Sequence, residues 1–186
     1  LGCGGTLLKR YDSGFEIGWL LITSISKEEG WEEEKIKKRD TEIKIIQESL
    51  NIKNENFFQL NLPTTKLDEI PINKIITKIS DVFNKFKPNE VFLPHPGDIH
   101  SDHRITFEAA QSCTKWFRYP FIKKIYTYET LSETEFEIDP RLNSFRPNTF
   151  IDISEKMNQK ITLLKVYNSE INDHPFPRSI KSIKAL

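Results

Sequence analysis

Three of the four histidines of this chain fall within the run Pro94-His95-Pro96-Gly97-Asp98-Ile99-His100-Ser101-Asp102-His103-Arg104. Imidazole and carboxylate are the side chains that bind divalent metals and exchange protons near neutral pH, so chemistry is expected here first. His100 and His103 stand three apart with Asp102 between them. At the start of a helix that spacing can aim both rings at one point, one as a ligand and the other through space. A catalytic zinc site commonly takes three protein ligands and leaves a place for water, and the run could supply one or two of them. Asp102 could instead accept the second N–H of a histidine and orient it. Asp98 could cap the turn or coordinate. Arg104 reads as the partner of a carboxylate in the first helical turn. His95, between two prolines, is held rigidly enough to wall a pocket. The plain alternative is a polar surface loop with a helix cap.

The run follows a short apolar strand, Val91-Phe92-Leu93, and leads into a helix that starts near His103 and is lined by Ile105, Ala109, Cys113 and Trp116 or Phe117. Upstream, residues 5–11 read as a short helix. Gly18 to Thr23 reads as a strand buried on both faces. From Lys35 to Leu50 the pattern is helical, with Ile36, Ile43, Ile46 and Leu50 on one face and Arg39 on or beside it. Phe57 to Leu60 is a short strand. Pro71 opens, and Pro88 closes, a helix with a strong stripe of Ile72, Ile75, Ile76, Ile79, Val82, Phe83 and Phe86. Phe121–Glu129 reads as a strand, 130–148 as irregular, and Phe150–Ile153 as short and extended. Ser154 is expected to cap a helix carrying Met157, Ile161, Leu164 and Val166 or Tyr167. A break at His174–Pro177 precedes a last helix.

Strands alternating with helices predict an α/β fold: a three-layer, Rossmann-like sandwich of a mostly parallel sheet flanked by helices. Ligands in such folds bind beyond the carboxyl ends of the strands, which is where the histidine run falls. The glycine segment Leu1-Gly2-Cys3-Gly4-Gly5-Thr6 suits close approach of backbone to a ligand or a neighbouring helix. The strand expected before it is missing. Residues 1–186 are read as one domain, truncated at both ends.

Lysine plus arginine balance aspartate plus glutamate, 27 against 27, so no basic excess points to a nucleic-acid partner. No apolar run approaches the roughly 20 residues of a membrane span. Two cysteines, Cys3 and Cys113, form no disulfide framework and fit a reducing cytoplasm. Composition is compatible with an oligomer and does not specify one.

Several motifs in order carry a family resemblance over essentially the whole chain. The glycine segment is similar to the residues that follow an AHPDDE motif. Arg39-Asp40-Thr41-Glu42 is similar to an R-x-x-E helix, and His95 to Arg104 to a second metal motif. Phe145-Arg146-Pro147-Asn148-Thr149-Phe150-Ile151-Asp152-Ile153 and Tyr167-Asn168-Ser169-Glu170 are similar to C-terminal signatures. Together they resemble the PIG-L/LmbE-like zinc-dependent de-N-acetylases, which remove acetyl groups from N-acetylglucosamine-type conjugates.

The resemblance implies that His103 is a zinc ligand, with other divalent metals also acceptable. It implies that His100 stabilises the oxyanion and protonates the leaving amine, and that Asp102 orients or charge-couples His100. Arg39 would reach the substrate pocket; the alternative for it is a surface pair with Glu42. Arg178, in Pro177-Arg178-Ser179, would also belong to the pocket, although Phe176 stands where the family often has histidine. The remaining ligands and the general base are implied in AHPDDE, which does not occur in the 186 residues, and the chain as it stands is expected to be inactive. Many relatives carry Asn at the position of His100.

The expected reaction is metal-assisted hydrolysis of the N-acetyl group, giving acetate and a free amino sugar on a small-molecule or lipid-linked conjugate. Two alternatives remain open at this point. Asp98-Ile99-His100-Ser101-Asp102-His103 also resembles the H-x-H-x-D-H run of metallo-β-lactamase-like hydrolases, with Asp98 in place of the first His. A sugar-binding relic without catalysis is the other.

Overall fold

The computed structural model describes residues 2–138 and 145–186. Six helices and four strands alternate along most of it: α1 Gly4–Asp12, β1 Trp19–Ser24, α2 Glu33–Ser49, β2 Phe57–Pro63, α3 Ile72–Phe86, β3 Glu90–Pro94, α4 Ser101–Ser112, β4 Lys124–Tyr128, α5 Met157–Val166 and α6 Ile180–Ala185.

Local sequence accounts for most of these boundaries. The stripe of α3 buries Ile75, Ile79 and Phe83. That helix ends where Lys87 turns left-handed, at φ 54°, and its N–H donates to the Phe83 carbonyl at 2.8 Å; Pro88 cannot continue it. Both strand pairings are parallel: β1 with β2, setting Trp19 opposite Phe57, and β3 with β4, setting Phe92 opposite Tyr126. The first pair of rings meets tilted at 51°, 5.3 Å between centroids, and the second stacks at 5.1 Å. Among the described residues the two pairs form separate two-stranded sheets.

Side chains alternate across a strand, and the alternation builds three layers. On one side Leu20, Ile22, Leu60, Leu62, Val91 and Leu93 pack against α3 and α4 in one core cluster. On the other, Trp19 and Phe57 pack with Leu8 of α1, Ile46 of α2 and Leu163 of α5. The expected α/β architecture of parallel strands flanked by helices is therefore present.

Several local expectations are corrected. All six residues of β1 are half-buried rather than buried on both faces. α4 ends at Ser112, so Trp116 and Phe117 do not line it and are 79% and 61% exposed. The strand expected over 121–129 spans only Lys124–Tyr128. Ser154 is not the cap of α5. It begins a 3-10 turn, and the Asp152 carboxylate accepts its N–H at 2.9 Å and its hydroxyl at 2.6 Å. Residues 150–153 pair with no strand among the described residues. Leu1 and part of the irregular stretch 130–148 lie outside the described residues.

Candidate active site

His95 to His103 leaves the carboxyl end of β3 and enters α4. His95 is buried, its ring edge-on to Phe145 at 5.2 Å, and its carbonyl accepts the Asp98 N–H at 3.1 Å. His100 is the N-cap residue of α4. Its Nδ1 accepts the Asp102 N–H at 3.1 Å, as a Ser or Asp side chain does at other helix starts. A nitrogen that accepts carries no proton, so in the neutral ring the proton lies on Nε2.

His103, one turn on, is in the opposite state. Its Nδ1 lies 2.8 Å from Oδ2 of Asp98, a fully buried side chain. A carboxylate offers only acceptors, so Nδ1 donates, and in the neutral ring the Nε2 lone pair is left available. The two rings stack at 5.0 Å with 21° between their planes. The run thus presents one N–H donor and one lone pair side by side.

The carboxylates do not fall as the spacing suggested. The oxygens of Asp98 meet His103 and the Thr134 hydroxyl, which donates to Oδ1 at 2.5 Å. The Asp102 carboxylate is held by backbone donors. Its Oδ2 and Oδ1 accept the N–H groups of Thr65 at 2.7 Å and Leu67 at 3.3 Å. A buried carboxylate needs donors, and the turn after β2, where Thr65 has φ 59°, supplies two. Asp102 reaches His100 through its backbone N–H instead. Among the described residues Arg104 pairs with no carboxylate; it donates to the carbonyls of Asp98 at 3.0 Å and Ile99 at 2.5 Å.

Arg39 and Arg178 meet at one acid, Glu170 of the Tyr167-Asn168-Ser169-Glu170 segment, whose role is not legible in its local sequence. Glu170 lies 3.3 Å from Nη2 of Arg39 and 3.2 Å from Nη2 of Arg178. Arg39 also makes the local pair with Glu42 at 3.3 Å and sits over the Tyr167 ring at 5.0 Å. Burial pushes the Tyr167 phenol up to about 12, so the ring stays neutral beneath the guanidinium. Arg178 donates to the Ser132 hydroxyl at 2.7 Å. Ser132 belongs to the same turn as Thr134, so the arginine pair and the histidine run are joined through residues 130–135.

Glu129, at the carboxyl end of β4, was read only as strand. Burial, then the neighbouring Glu135 and Asp98 charges, push its carboxyl above the usual range, while His95 opposes them. Its place after a parallel strand was the available signal. Cys3 is no nucleophile candidate, since burial raises its thiol.

Among the described residues no three His, Cys, Asp or Glu side chains converge on one point. His103 still fits a divalent cation by its donor chemistry, because a ligating imidazole usually gives its other N–H to a carboxylate, as it does here to Asp98. No helix among the described residues is long and apolar enough to cross a membrane.

Known proteins share this framework. A conserved protein from Thermus thermophilus superposes with a TM-score of 0.71 at 21% identity, over 99% of this chain and 77% of its own. An N,N'-diacetylchitobiose deacetylase from Pyrococcus horikoshii gives 0.62 at 23% identity, over 92% and 66%. The 4-carboxy-2-hydroxymuconate hydratase from Pseudomonas putida gives 0.63 at 16% identity, over 88% and 71%. Such likeness shows the fold, and a deacetylase beside a hydratase shows that the fold alone does not choose the reaction. The family model for PIG-L, GlcNAc-PI de-N-acetylase, matches residues 1–114. That match takes in the glycine segment, the Arg39 helix and the whole histidine run, and by it the chain belongs to the PIG-L family.

Proposed function

We propose that this chain carries one side of the active site of a metal-dependent de-N-acetylase. The reaction is hydrolysis of the N-acetyl group of an N-acetylglucosamine-type glycoconjugate, small or lipid-linked, to acetate and a free amino sugar. The observation that carries the reading is the opposed hydrogen-bond partners of two stacked imidazoles at the start of α4, a backbone N–H on one and a carboxylate on the other.

In this reading His103 holds the cation through Nε2; an imidazole backed by a carboxylate suits zinc, the metal the resemblance implies, as it does other divalent metals. A bound divalent cation supplies Lewis acidity toward the acetamide carbonyl and an attacking water. His100 directs Nε2–H at the oxygen that gains negative charge. A well-placed donor of this kind is worth about 3–4 kcal/mol in other hydrolases. Its Nδ1 is engaged by the Asp102 N–H, which supports a neutral hydrogen-bond donor more than an acid toward the amine. Asp102 locks α4 to the turn after β2. His95 walls the pocket, while Arg39 and Arg178 present guanidinium groups to the conjugate. The resemblance assigns the general base and the other ligands to AHPDDE.

The metallo-β-lactamase-like alternative has no support: its first ligand position, Asp98, is turned to His103 and Thr134. The deacetylase reading is tested with protein in which an AHPDDE segment precedes Leu1. With zinc it is expected to release acetate from an N-acetylglucosaminyl conjugate, and His103→Ala is expected to abolish release. Unchanged turnover in that variant overturns the assignment.

A further inference from the structure

The turn that follows β4 has no part in the roles given so far, yet it supplies the second partner of the carboxylate behind His103. Thr134 is buried. Its Oγ1 accepts the Thr130 N–H at 2.8 Å, so the hydroxyl proton is free to go elsewhere, and it goes to Oδ1 of Asp98 at 2.5 Å. The other oxygen of that carboxylate takes the Nδ1–H of His103. The bonds converge on one carboxylate: Thr130 N–H donates to Thr134, Thr134 O–H to Asp98, and His103 N–H to Asp98 from the other side.

The turn is itself tied down on two sides. Ile99 N–H donates to the Glu133 carbonyl at 3.1 Å, and Thr134 N–H to the Thr130 carbonyl at 2.9 Å. Arg178 holds the Ser132 hydroxyl at 2.7 Å. A carboxylate attached to a single histidine can rotate about its own bond. One bound on both oxygens, with no solvent contact, is fixed in plane and in direction.

We propose that Thr134 is a positioning residue for His103. By fixing Asp98 it holds His103 in the Nδ1–H form, which keeps the Nε2 lone pair directed outward. This rests on the reading of His103 as a metal ligand, but the hydrogen-bond relay can be tested without metal or substrate. Nothing in the local sequence of the turn announces the role, because Thr134 lies 36 residues from Asp98.

The test is a long-range proton–nitrogen correlation spectrum of the chain labelled with 15N-histidine, taken at about pH 8.5, above the ordinary imidazole range. His103→Gln assigns the signal. In the unmodified chain His103 is expected to show a protonated Nδ1 and a bare Nε2. Thr134→Ser, which keeps the hydroxyl, is expected to preserve that pattern, and Thr134→Val to move it toward the Nε2–H form. In protein carrying the AHPDDE segment, Thr134→Val is expected to weaken zinc binding about tenfold, the lower end for loss of a ligand's supporting partner, with Thr134→Ser restoring it. An Nε2–H pattern in the unmodified chain overturns the proposal with no variant needed, even if Thr134→Val fails to fold. So does an unchanged pattern in folded Thr134→Val. Loss of activity in His103→Ala with an unchanged Thr134→Val pattern removes the relay and leaves the deacetylase reading standing.

Discussion

At the scale of single residues, the character of each imidazole is set by the atom it meets, Asp98 Oδ2 for His103 and the Asp102 N–H for His100. His95, His100 and His103 declare themselves because they are adjacent in sequence and follow a strand. The choice between Asp98 and Asp102 as partner of either ring was not legible. Spacings of one, two and five residues all permit contact, and the outcome depends on which way the 96–99 turn folds. Glu170 was harder still, being 131 residues from Arg39. It holds two guanidinium groups whose side chains are 36% and 33% exposed, so each pair is worth no more than about 1 kcal/mol to stability. Glu170→Ala is therefore expected to leave the thermal midpoint nearly unchanged. It is expected to raise KM roughly fivefold, the equivalent of about 1 kcal/mol of lost substrate orientation, with kcat held. Steady-state kinetics on the AHPDDE-bearing protein decide it, and an unaltered KM removes Glu170 from substrate positioning.

At the scale of elements, the glycines show what local pattern can and cannot say. Their cluster signalled close approach without naming the neighbour. That neighbour is distant: a Cβ on Gly5 would meet Cδ1 of Ile153 at 2.5 Å and its Cβ at 3.3 Å, and one on Gly2 would meet the Tyr128 ring at 2.6 Å. Helix α1 is thus pressed on the segment leading into α5, where Lys9 also donates to the Asp152 carbonyl at 2.7 Å. Gly5→Ala is expected to cost about 1–3 kcal/mol by overpacking. Ile153→Val removes the nearest atom, so it should cost less in the Gly5→Ala background than alone. Denaturant unfolding of the double-mutant cycle measures this; strictly additive losses would show that the two sites do not touch.

Over the whole molecule, the two strand pairs share no ladder, and the apolar core between α3, α4 and the strands joins them. Ile79 of α3 is fully buried in that core, which holds Leu62 of β2 together with Val91 and Leu93 of β3. Ile79→Ala is expected to destabilise the protein by about 2–5 kcal/mol. Tryptophan fluorescence and far-ultraviolet dichroism should still lose structure together, as one cooperative unit requires. Two separated transitions would mean that the pairs unfold independently.

The sequence by itself determined the elements and the address of the site. A helical stripe or an alternating strand is written in neighbouring residues, and so is a histidine run that follows a strand. Only the tertiary structure decided which atoms meet there: Asp98 rather than Asp102 behind His103, a backbone N–H rather than a carboxylate on His100, Thr134 on Asp98, and Glu170 between two arginines. Periodicity is local and survives reading in one dimension. A hydrogen bond between residues far apart in the chain exists only once the intervening turns have brought donor and acceptor within 3 Å or so.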